Sequence, residues 1–352
     1  MKVYVHPTPF PLENGSVLPQ LELAYLDEGP TDKPVVWVCH ALTANADVFD
    51  WWNGLFGPGC LFNAEAYRII CVNIPGSCYG STGPLSLHPA TGLPYHHDFP
   101  VLTIRDMVAA HEALRNHLGI TRIHLLIGGS LGGQQAMEWA HQLGADVAHL
   151  ALIATNARHS PWGIAFNEAQ RMAIEADSTW MERQEKAGDA GMRAARAMAL
   201  LSYRHYGAYG ATQTDETAQL GTYKAQTYQR YQGEKLSRRF NAFSYYRLSQ
   251  AMDSHHMGRN RHSVEWALQA IRARTLVVGI DTDVLFPLSE QRFLAQHIPR
   301  ARFKSMHSTL GHDGFLVETE KLTALLRDFL PADDRTATLH QHTIQPPNHA
   351  QL

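Results

Sequence analysis

The chain has 352 residues, of which 45% are apolar, and its formal net charge at pH 7 is −3. This length suits one large α/β domain with an insertion, or two modest domains, and either would bury a sizeable core. Acidic and basic residues are mixed and nearly balanced, which excludes nucleic acid and anionic membrane surfaces as main partners.

Neither a signal peptide nor a membrane span is expected. The first ten residues, MKVYVHPTPF, contain no long apolar run, and no later segment approaches the roughly 20 apolar residues of a span. Four cysteines lie in the first quarter of the chain without the paired spacing of a zinc site: Cys39, Cys60, Cys71 and Cys78. We therefore expect free thiols in a reducing compartment, and so a cytoplasmic protein.

Short continuous apolar runs alternate with helical patterns along the first half of the chain. Runs of this kind are typical of strands buried on both faces. The predicted strands are 35–39, 68–73, 123–127, 148–154 and, later, 275–280, and helical periodicity covers 105–118 and 131–143. Strands that alternate with helices predict a mostly parallel sheet with helices on both faces.

The alternation stops near Arg158 and resumes near Arg272. The segment between them is rich in Ala, Gln, Glu, Arg, Met and Tyr, which predicts a helical cap at 158–271 inserted into a core formed by 1–157 and 272–331. We expect the last strand at 302–306 and the last helix at 318–330. The tail, 332–352, is polar and aperiodic, so we expect it to be disordered.

The stretch LLIGGSLGG places Ser130 between glycines, after a buried strand and before a helix. This is the context of a nucleophile elbow, a turn so tight that flanking side chains would collide with the backbone. An incidental serine in a glycine-rich turn is the alternative. In the functional interpretation, Ser130 is a nucleophile at a helix N-terminus, where developing negative charge is stabilised.

A serine nucleophile needs a base, and the base needs an orienting carboxylate. His312 is the candidate base, because GHDG is a glycine-flanked loop between the last strand and the last helix. On an elbow-type fold the acid precedes the histidine in the chain. The loop after TLVVGI offers Asp281 and Asp283, and spacing alone does not choose between them.

Acyl transfer through such a serine also requires two N–H donors for the tetrahedral oxyanion. One is expected from Leu131, directly after the serine. The other is expected from the loop HALTA after strand 35–39, from Leu42 or from its neighbour Thr43. No metal or bound cofactor is expected, because the closest approach to ligand spacing, DSHH at 253–256, is interpreted as a polar cluster at a helix end.

Four segments together resemble the homoserine O-acetyltransferase family of α/β-hydrolase-fold enzymes. They are HALTANADVFDWWNGLFGPG, NIPGSCYGSTGPLSLHPATGLPYHHDFPVLTIRDMV, GGSLGGQQAMEWA, and DTDVLFP with GHDGFL. The resemblance runs from about Tyr25 to Leu330. It implies an α/β-hydrolase fold with a helical cap, and ping-pong transfer of an acyl group from acyl-CoA to the hydroxyl of homoserine.

The resemblance also implies roles for individual residues. Ser130 matches the nucleophile and His312 the base, and the acid matches Asp283 rather than Asp281. Asp313 and Arg204 match the residues that meet the ammonium and the carboxylate of the acceptor, with Tyr209 or Tyr206 assisting. The family further implies acetyl-CoA as co-substrate and a homodimer formed through the cap.

Several alternatives stay open at this point. NIPGSCYG and Leu131 depart from the family's common pattern near the expected acyl pocket, so a succinyl donor competes with the favoured acetyl donor. Serine is one methylene shorter than homoserine, a difference that binding discriminates by only about 1–3 kcal/mol. A small-ester hydrolase could use the same machinery, and a non-catalytic binding protein would have a substituted triad, which is not seen.

Overall fold

An eight-stranded sheet lies at the centre of the molecule. The structure is a computed structural model that describes residues 1–217 and 220–331. The strands of the sheet are β1 (Lys2–Val5), β4 (Glu22–Glu28), β5 (Val35–Cys39), β6 (Arg68–Val72), β7 (Ile123–Gly129), β8 (Val147–Ile153), β9 (Arg274–Ile280) and β10 (Ala301–Met306), and their order across the sheet is β1-β4-β6-β5-β7-β8-β9-β10. Two short strands, β2 (Phe10–Pro11) and β3 (Val17–Leu18), pair with each other outside this sheet. Only β4 runs against the other strands of this sheet, which confirms the mostly parallel sheet predicted from the sequence.

The central strands are buried on both faces, which explains their unbroken apolar runs. In β5, Val35, Trp37 and Cys39 join one hydrophobic cluster, whereas Val36 and Val38 join a second cluster on the opposite face. Successive side chains of a strand point to opposite faces, so a strand between two helical layers needs apolar residues at every position. The sequence pattern thus follows from the three-layer packing.

Helices cover both faces of the sheet. Outside the cap they are α1 (Val48–Trp51), α2 (Ile104–His117), α3 (Leu131–Leu143), α10 (Leu288–His297), α11 (Gly314–Val317) and α12 (Thr319–Phe329). In α2 the side chain of Thr103 accepts from the Asp106 N–H, and Asp106 accepts in return from the Thr103 N–H. This capping box fixes where the helix begins. None of the helices in the described ranges is long and apolar enough to cross a bilayer.

Six helices occupy the segment interpreted as a cap. They are α4 (Pro161–Glu175), α5 (Asp189–Tyr203), α6 (Tyr206–Gln213), α7 (Lys224–Ser237), α8 (Ala242–Asp253) and α9 (Val264–Gln269). Helix α4 packs against α5 and α8, and α5 packs against α7. Apolar side chains of the cap such as Ile174 and Met192 belong to the same hydrophobic cluster as Trp37 of the central sheet. These helices therefore pack onto the sheet, and the segment predicted as a disordered tail, 332–352, lies outside the described residues.

Candidate active site

Ser130 occupies a strained corner between β7 and α3. Its backbone dihedrals are φ 56° and ψ −126°, a region that residues with a Cβ rarely adopt. The Ser130 N–H donates to the Ile153 carbonyl over 2.9 Å, and the Thr155 hydroxyl donates to the Ser130 carbonyl over 2.9 Å. These bonds to the end of β8 hold the strained conformation in place.

This geometry leaves the Ser130 hydroxyl available for chemistry. A serine at the N-cap of a helix normally accepts a hydrogen bond from the first turn. Ser130 is the N-cap of α3, yet its side chain makes no such bond, because the positive φ turns it away from the helix. The hydroxyl thus projects beside the helix N-terminus without capping it.

The glycine at 132 allows the first turn of α3 to lie directly on the end of β5. A Cβ at this position would lie 2.0 Å from the Cys39 carbonyl oxygen, closer than any real Cβ contact. Only glycine permits this approach. As a result, the loop after β5 and the N-terminus of α3 meet beside the serine.

Leu42 and Leu131 contribute backbone N–H groups at this junction. Leu131 is the first residue of α3, and the N–H groups of a first helical turn have no partner within the helix. Across the described ranges, neither N–H donates a hydrogen bond. The arrangement suits two donors for an oxyanion.

Asp283 and His312 form a buried, oriented pair. The Leu285 and Phe286 N–H groups donate to Oδ1 of Asp283 over 2.8 and 2.9 Å, and Oδ2 lies 2.7 Å from Nδ1 of His312. The aspartate side chain is fully buried and that of the histidine nearly so. Because Nδ1 faces the carboxylate, Nε2 is the atom left to take up a proton.

The pKa of His312 is raised above its ordinary value of 6.5. Burial lowers this pKa, but the charge and hydrogen bond of Asp283, and the nearby charge of Asp313, outweigh that effect. The ring is therefore a stronger base than an exposed histidine, and it must be deprotonated before it can accept a proton from a hydroxyl.

Three aromatic rings fix the position of the His312 ring. Phe286 stacks on it with centroids 5.2 Å apart, and Phe315 and Tyr203 lie 5.5 and 5.6 Å away. A Cβ on Gly129, the residue before Ser130, would lie 2.5 Å from the Phe315 ring. Through Phe315 the structure thus brings the histidine loop and the serine corner together.

The end of α5 packs onto the histidine loop and carries Arg204 into the site. A Cβ on Gly311, which has φ +70°, would lie 2.9–3.0 Å from the backbone of residues 203–205. Arg204 follows α5 directly, and its Nε lies 3.0 Å from Oδ2 of Asp313. This Nε is buried and makes no well-aimed hydrogen bond, so charge rather than geometry holds the pair. The Arg204 guanidinium and the Asp313 carboxylate therefore form an ion pair next to His312.

Of the two candidate tyrosines, Tyr209 is the one near this ion pair. Burial raises the pKa of Tyr209 to about 12, and the charges of Arg204 and Asp313 contribute in opposite directions. Its hydroxyl donates to Oε1 of Gln229 over 3.1 Å. Tyr206, by contrast, begins α6 with 88% of its surface exposed.

Asp281, the other candidate acid, pairs with His307 instead of His312. Its Oδ2 lies 2.6 Å from Nδ1 of His307, and the His307 side chain is 72% exposed. The structure therefore brings Asp283, and not Asp281, to His312.

The side chains of the DSHH segment, 253–256, make hydrogen bonds within the protein rather than a metal site. Asp253 accepts from Asn167 over 2.7 Å and from Arg171 over 2.6 Å, and His255 lies 2.9 Å from the Asn156 carbonyl. In the part of the chain that the structure describes, no cluster of three or more His, Cys, Asp or Glu side chains could hold a metal ion. All four cysteines are free thiols.

Sequence reasoning missed Thr155 and Phe315, which hold the serine corner and the histidine ring. Both had a usable signal. Thr155 follows the buried strand β8, and ligands and reactive groups gather at the carboxyl edge of a parallel sheet. Phe315 lies within the quoted segment GHDGFL, but only the fold brings its ring against Gly129.

The sheet, the strained serine corner and the buried Asp–His pair define an α/β-hydrolase-fold enzyme, and residues 34–319 match the family model of the alpha/beta hydrolase fold. Within that class, the chain belongs to the homoserine O-acetyltransferase family. It is 46% identical over 321 residues to the homoserine O-acetyltransferase of Cyclobacterium marinum, covering 90% of this chain and 92% of that protein. The resemblance inferred from the sequence motifs is thereby confirmed.

Solved structures agree with this assignment. The homoserine O-acetyltransferase of Staphylococcus aureus superposes with a TM-score of 0.79 at 29% identity, covering 94% of this chain and 96% of that one. The esterase E22 superposes with a TM-score of 0.86 at 22% identity, covering 94% and 99%. At 22% identity, the similarity to esterase E22 shows a shared fold and nothing more.

Asp283→Asn and Asp281→Asn form a matched test of the carboxylate assignment. Asp283→Asn should lower the rate of Ser130 acylation by about 10⁴-fold, because the amide cannot stabilise the imidazolium that forms. Asp281→Asn should stay within about threefold of the unsubstituted protein, since Asp281 contacts an exposed histidine. Rapid-mixing measurements of the acylation step check both, and equal losses in the two variants would contradict the assignment.

The pH dependence of acylation should report the raised pKa of His312. The neutral ring is the base, so the rate should fall as the pH drops through a pKa above 6.5. Asp313→Asn removes one of the charges that raise this pKa and should move the acid limb to lower pH. Acylation measured from pH 5 to 9 without an acceptor tests this, and an acid limb unmoved by the substitution would show that Asp313 does not act on the ring.

Proposed function

We propose that this protein transfers the acetyl group of acetyl-CoA to the side-chain hydroxyl of L-homoserine, through an acetyl ester on Ser130. The observation that carries the proposal is the Arg204–Asp313 ion pair, which lies beside His312, the histidine that pairs with Asp283. The 46% identity to a homoserine O-acetyltransferase supports the same donor and acceptor. In a hydrolase, no paired cation and anion would be needed next to the base.

In the first half-reaction, Ser130 Oγ attacks the thioester carbonyl while Nε2 of His312 takes the hydroxyl proton. The N–H groups of Leu42 and Leu131 stabilise the oxyanion, and Asp283 stabilises the imidazolium. The C–S bond then breaks, and His312 donates the proton that it took from Ser130 to the departing thiolate. The products are CoA thiol and acetyl-Ser130, and the histidine is neutral again.

In the second half-reaction the homoserine hydroxyl gives its proton to His312 and attacks the acetyl-serine. The same two N–H groups hold the second oxyanion. Collapse of this intermediate releases O-acetylhomoserine and returns the proton to Ser130 Oγ. No group besides the triad and the two N–H donors is required, and acetyl-CoA is a co-substrate rather than a bound cofactor.

The ion pair matches the charges of a free α-amino acid. Homoserine carries an ammonium and a carboxylate on the same carbon, so it needs one anion and one cation at short separation. In our proposal the Arg204 guanidinium binds the carboxylate and Asp313 binds the ammonium, with Tyr209 beside them. Until substrate enters, the two protein charges neutralise each other over 3.0 Å.

We also propose that the protein works in the cytoplasm as a homodimer formed through the cap. The free thiols support a reducing compartment. Large apolar side chains of the cap are exposed, among them Trp162, Met181 and Leu201, and burying them would favour association. Light scattering on the purified protein should give twice the chain mass, and a monomer at micromolar concentration would contradict the dimer.

Thiol release from acyl-CoA tests the proposed reaction. We expect CoA thiol to accumulate from acetyl-CoA with homoserine, at a rate well above the rates with serine, without an acceptor, or from succinyl-CoA. Release at the same rate without an acceptor would identify a hydrolase. Intact mass after mixing with acetyl-CoA alone should rise by one acetyl group, and Ser130→Ala should abolish this rise.

Arg204→Ala separates acceptor binding from catalysis. It should raise the KM for homoserine by about 10- to 100-fold, the effect of losing a charge-assisted hydrogen bond, and leave acylation by acetyl-CoA nearly intact. Arg193→Ala is the matched control, because Arg193 lies on α5 but pairs with Asp189 through an exposed side chain. An equal loss of acylation in Arg204→Ala would remove the proposed role.

A further inference from the structure

A line of buried polar groups that the triad does not use lies beneath the serine corner. It consists of Trp37 on β5, His111 on α2 and Gln135 on α3, and none of the three is more than 1% exposed. Buried polar side chains are costly unless each is fully hydrogen-bonded, so their partners indicate what they hold.

The hydrogen bonds of this line have a single possible direction. The Trp37 indole can only donate, and it donates to Nδ1 of His111 over 3.3 Å. Burial keeps the pKa of His111 at about 4, so the ring is neutral near pH 7. With Nδ1 as acceptor, its proton is on Nε2, which donates to Oε1 of Gln135 over 2.9 Å. His111 therefore fixes which end of the Gln135 amide faces the site.

The NH₂ end of Gln135 connects the two segments that carry the oxyanion donors. It donates to the His40 carbonyl and to the Leu131 carbonyl, each over 3.3 Å. Leu131 supplies one donor N–H, and His40 lies two residues before Leu42, which supplies the other. An amide NH₂ has two protons, and both are used here.

Two further carbonyls of the loop after β5 also accept hydrogen bonds. Neutral His40 accepts from the Ile74 N–H on Nε2 and donates from Nδ1 to the Ala41 carbonyl over 2.8 Å. The Thr43 carbonyl accepts from Arg239 over 2.5 Å. The carbonyls of residues 40, 41 and 43 thus each accept a hydrogen bond, whereas the Leu42 N–H donates none in the described ranges.

We propose that Gln135 is a positioning residue that sets the distance between the two oxyanion donors. This proposal rests on one part of the proposed function: a tetrahedral oxyanion forms when Ser130 is acylated. Stabilisation of that charge depends on donors placed within a few tenths of an ångström, and both donor segments are tied to one amide group. Trp37 and His111 act through Gln135 by holding its orientation.

The neighbouring Gln134 provides a matched control. It is also fully buried on α3, it donates to Asn156 over 3.1 Å, and it lies 3.4 Å from His159, whose pKa is likewise about 4. Neither Asn156 nor His159 belongs to the loop after β5 that carries the Leu42 N–H. Gln134→Met and Gln135→Met thus remove the same group from the same helix, but only the second releases the donor segments.

The experiment measures acylation of Ser130 in these variants, at a temperature well below their unfolding transitions. Gln135→Met should lower kcat for acylation by about 10- to 100-fold and leave KM within about threefold, as expected for misplaced transition-state donors. Gln134→Met should keep kcat within about threefold, although both variants lose thermal stability. Equal kcat in the two variants, or a loss in Gln135→Met confined to KM, would overturn the proposal.

Gln135→Glu covers the case in which the methionine variant does not fold. Glutamate keeps the shape and still accepts from His111, but it has at most one O–H in place of two N–H groups, so it can hold only one of the two carbonyls and should also lower kcat. Full activity in this variant would overturn the proposal. Using p-nitrophenyl acetate beside acetyl-CoA separates the two hypotheses: an ester that acylates Ser130 tests Gln135 even if acetyl-CoA does not react.

Discussion

The close approach of α3 to the end of β5 is the constraint on which the site depends. Gly132 lies so near the Cys39 carbonyl that a Cβ would be 2.0 Å from it, and two residues earlier Ser130 adopts its strained conformation at the same corner. This conformation is held by the hydrogen bond that the Ser130 N–H donates to Ile153 of β8 and by the one that the Ser130 carbonyl accepts from Thr155. One packing contact therefore brings the loop after β5 beside the serine hydroxyl and provides the helix N-terminus for developing charge.

The buried histidines near the site differ in the charges that surround them. His40 and His111 lie in the interior without a carboxylate partner, and burial lowers the pKa of each to about 4, so they serve as neutral hydrogen-bonding groups. His312 is equally enclosed, yet Asp283 and Asp313 raise its pKa. The difference comes from the charges within reach of each ring, and it gives one histidine a basic role and the others a structural role.

Much of the core was predictable because its strands are buried on both faces. The continuous apolar runs located β5, β6, β7, β8 and β9 within two residues, and the glycine-rich turn located Ser130. Strand β4 was missed because its sequence, ELAYLDE, ends in acidic residues, and Asp27 is accommodated there by an ion pair with Arg68 that only the folded chain forms. For the same reason, spacing could not separate Asp281 from Asp283, which differ in their three-dimensional partners.

The α/β class, the serine corner, the histidine loop and the family resemblance could all be inferred from the amino-acid sequence, because these depend on local periodicity and on turns that only glycine allows. The tertiary structure decided which carboxylate faces His312, that Arg204 lies beside Asp313, and that one buried amide joins both oxyanion segments. Apart from the bond between Gln135 and Leu131 within α3, those relations link residues separated by 29 to 109 positions in the chain. Distances between such residues are set by packing, which no local pattern encodes.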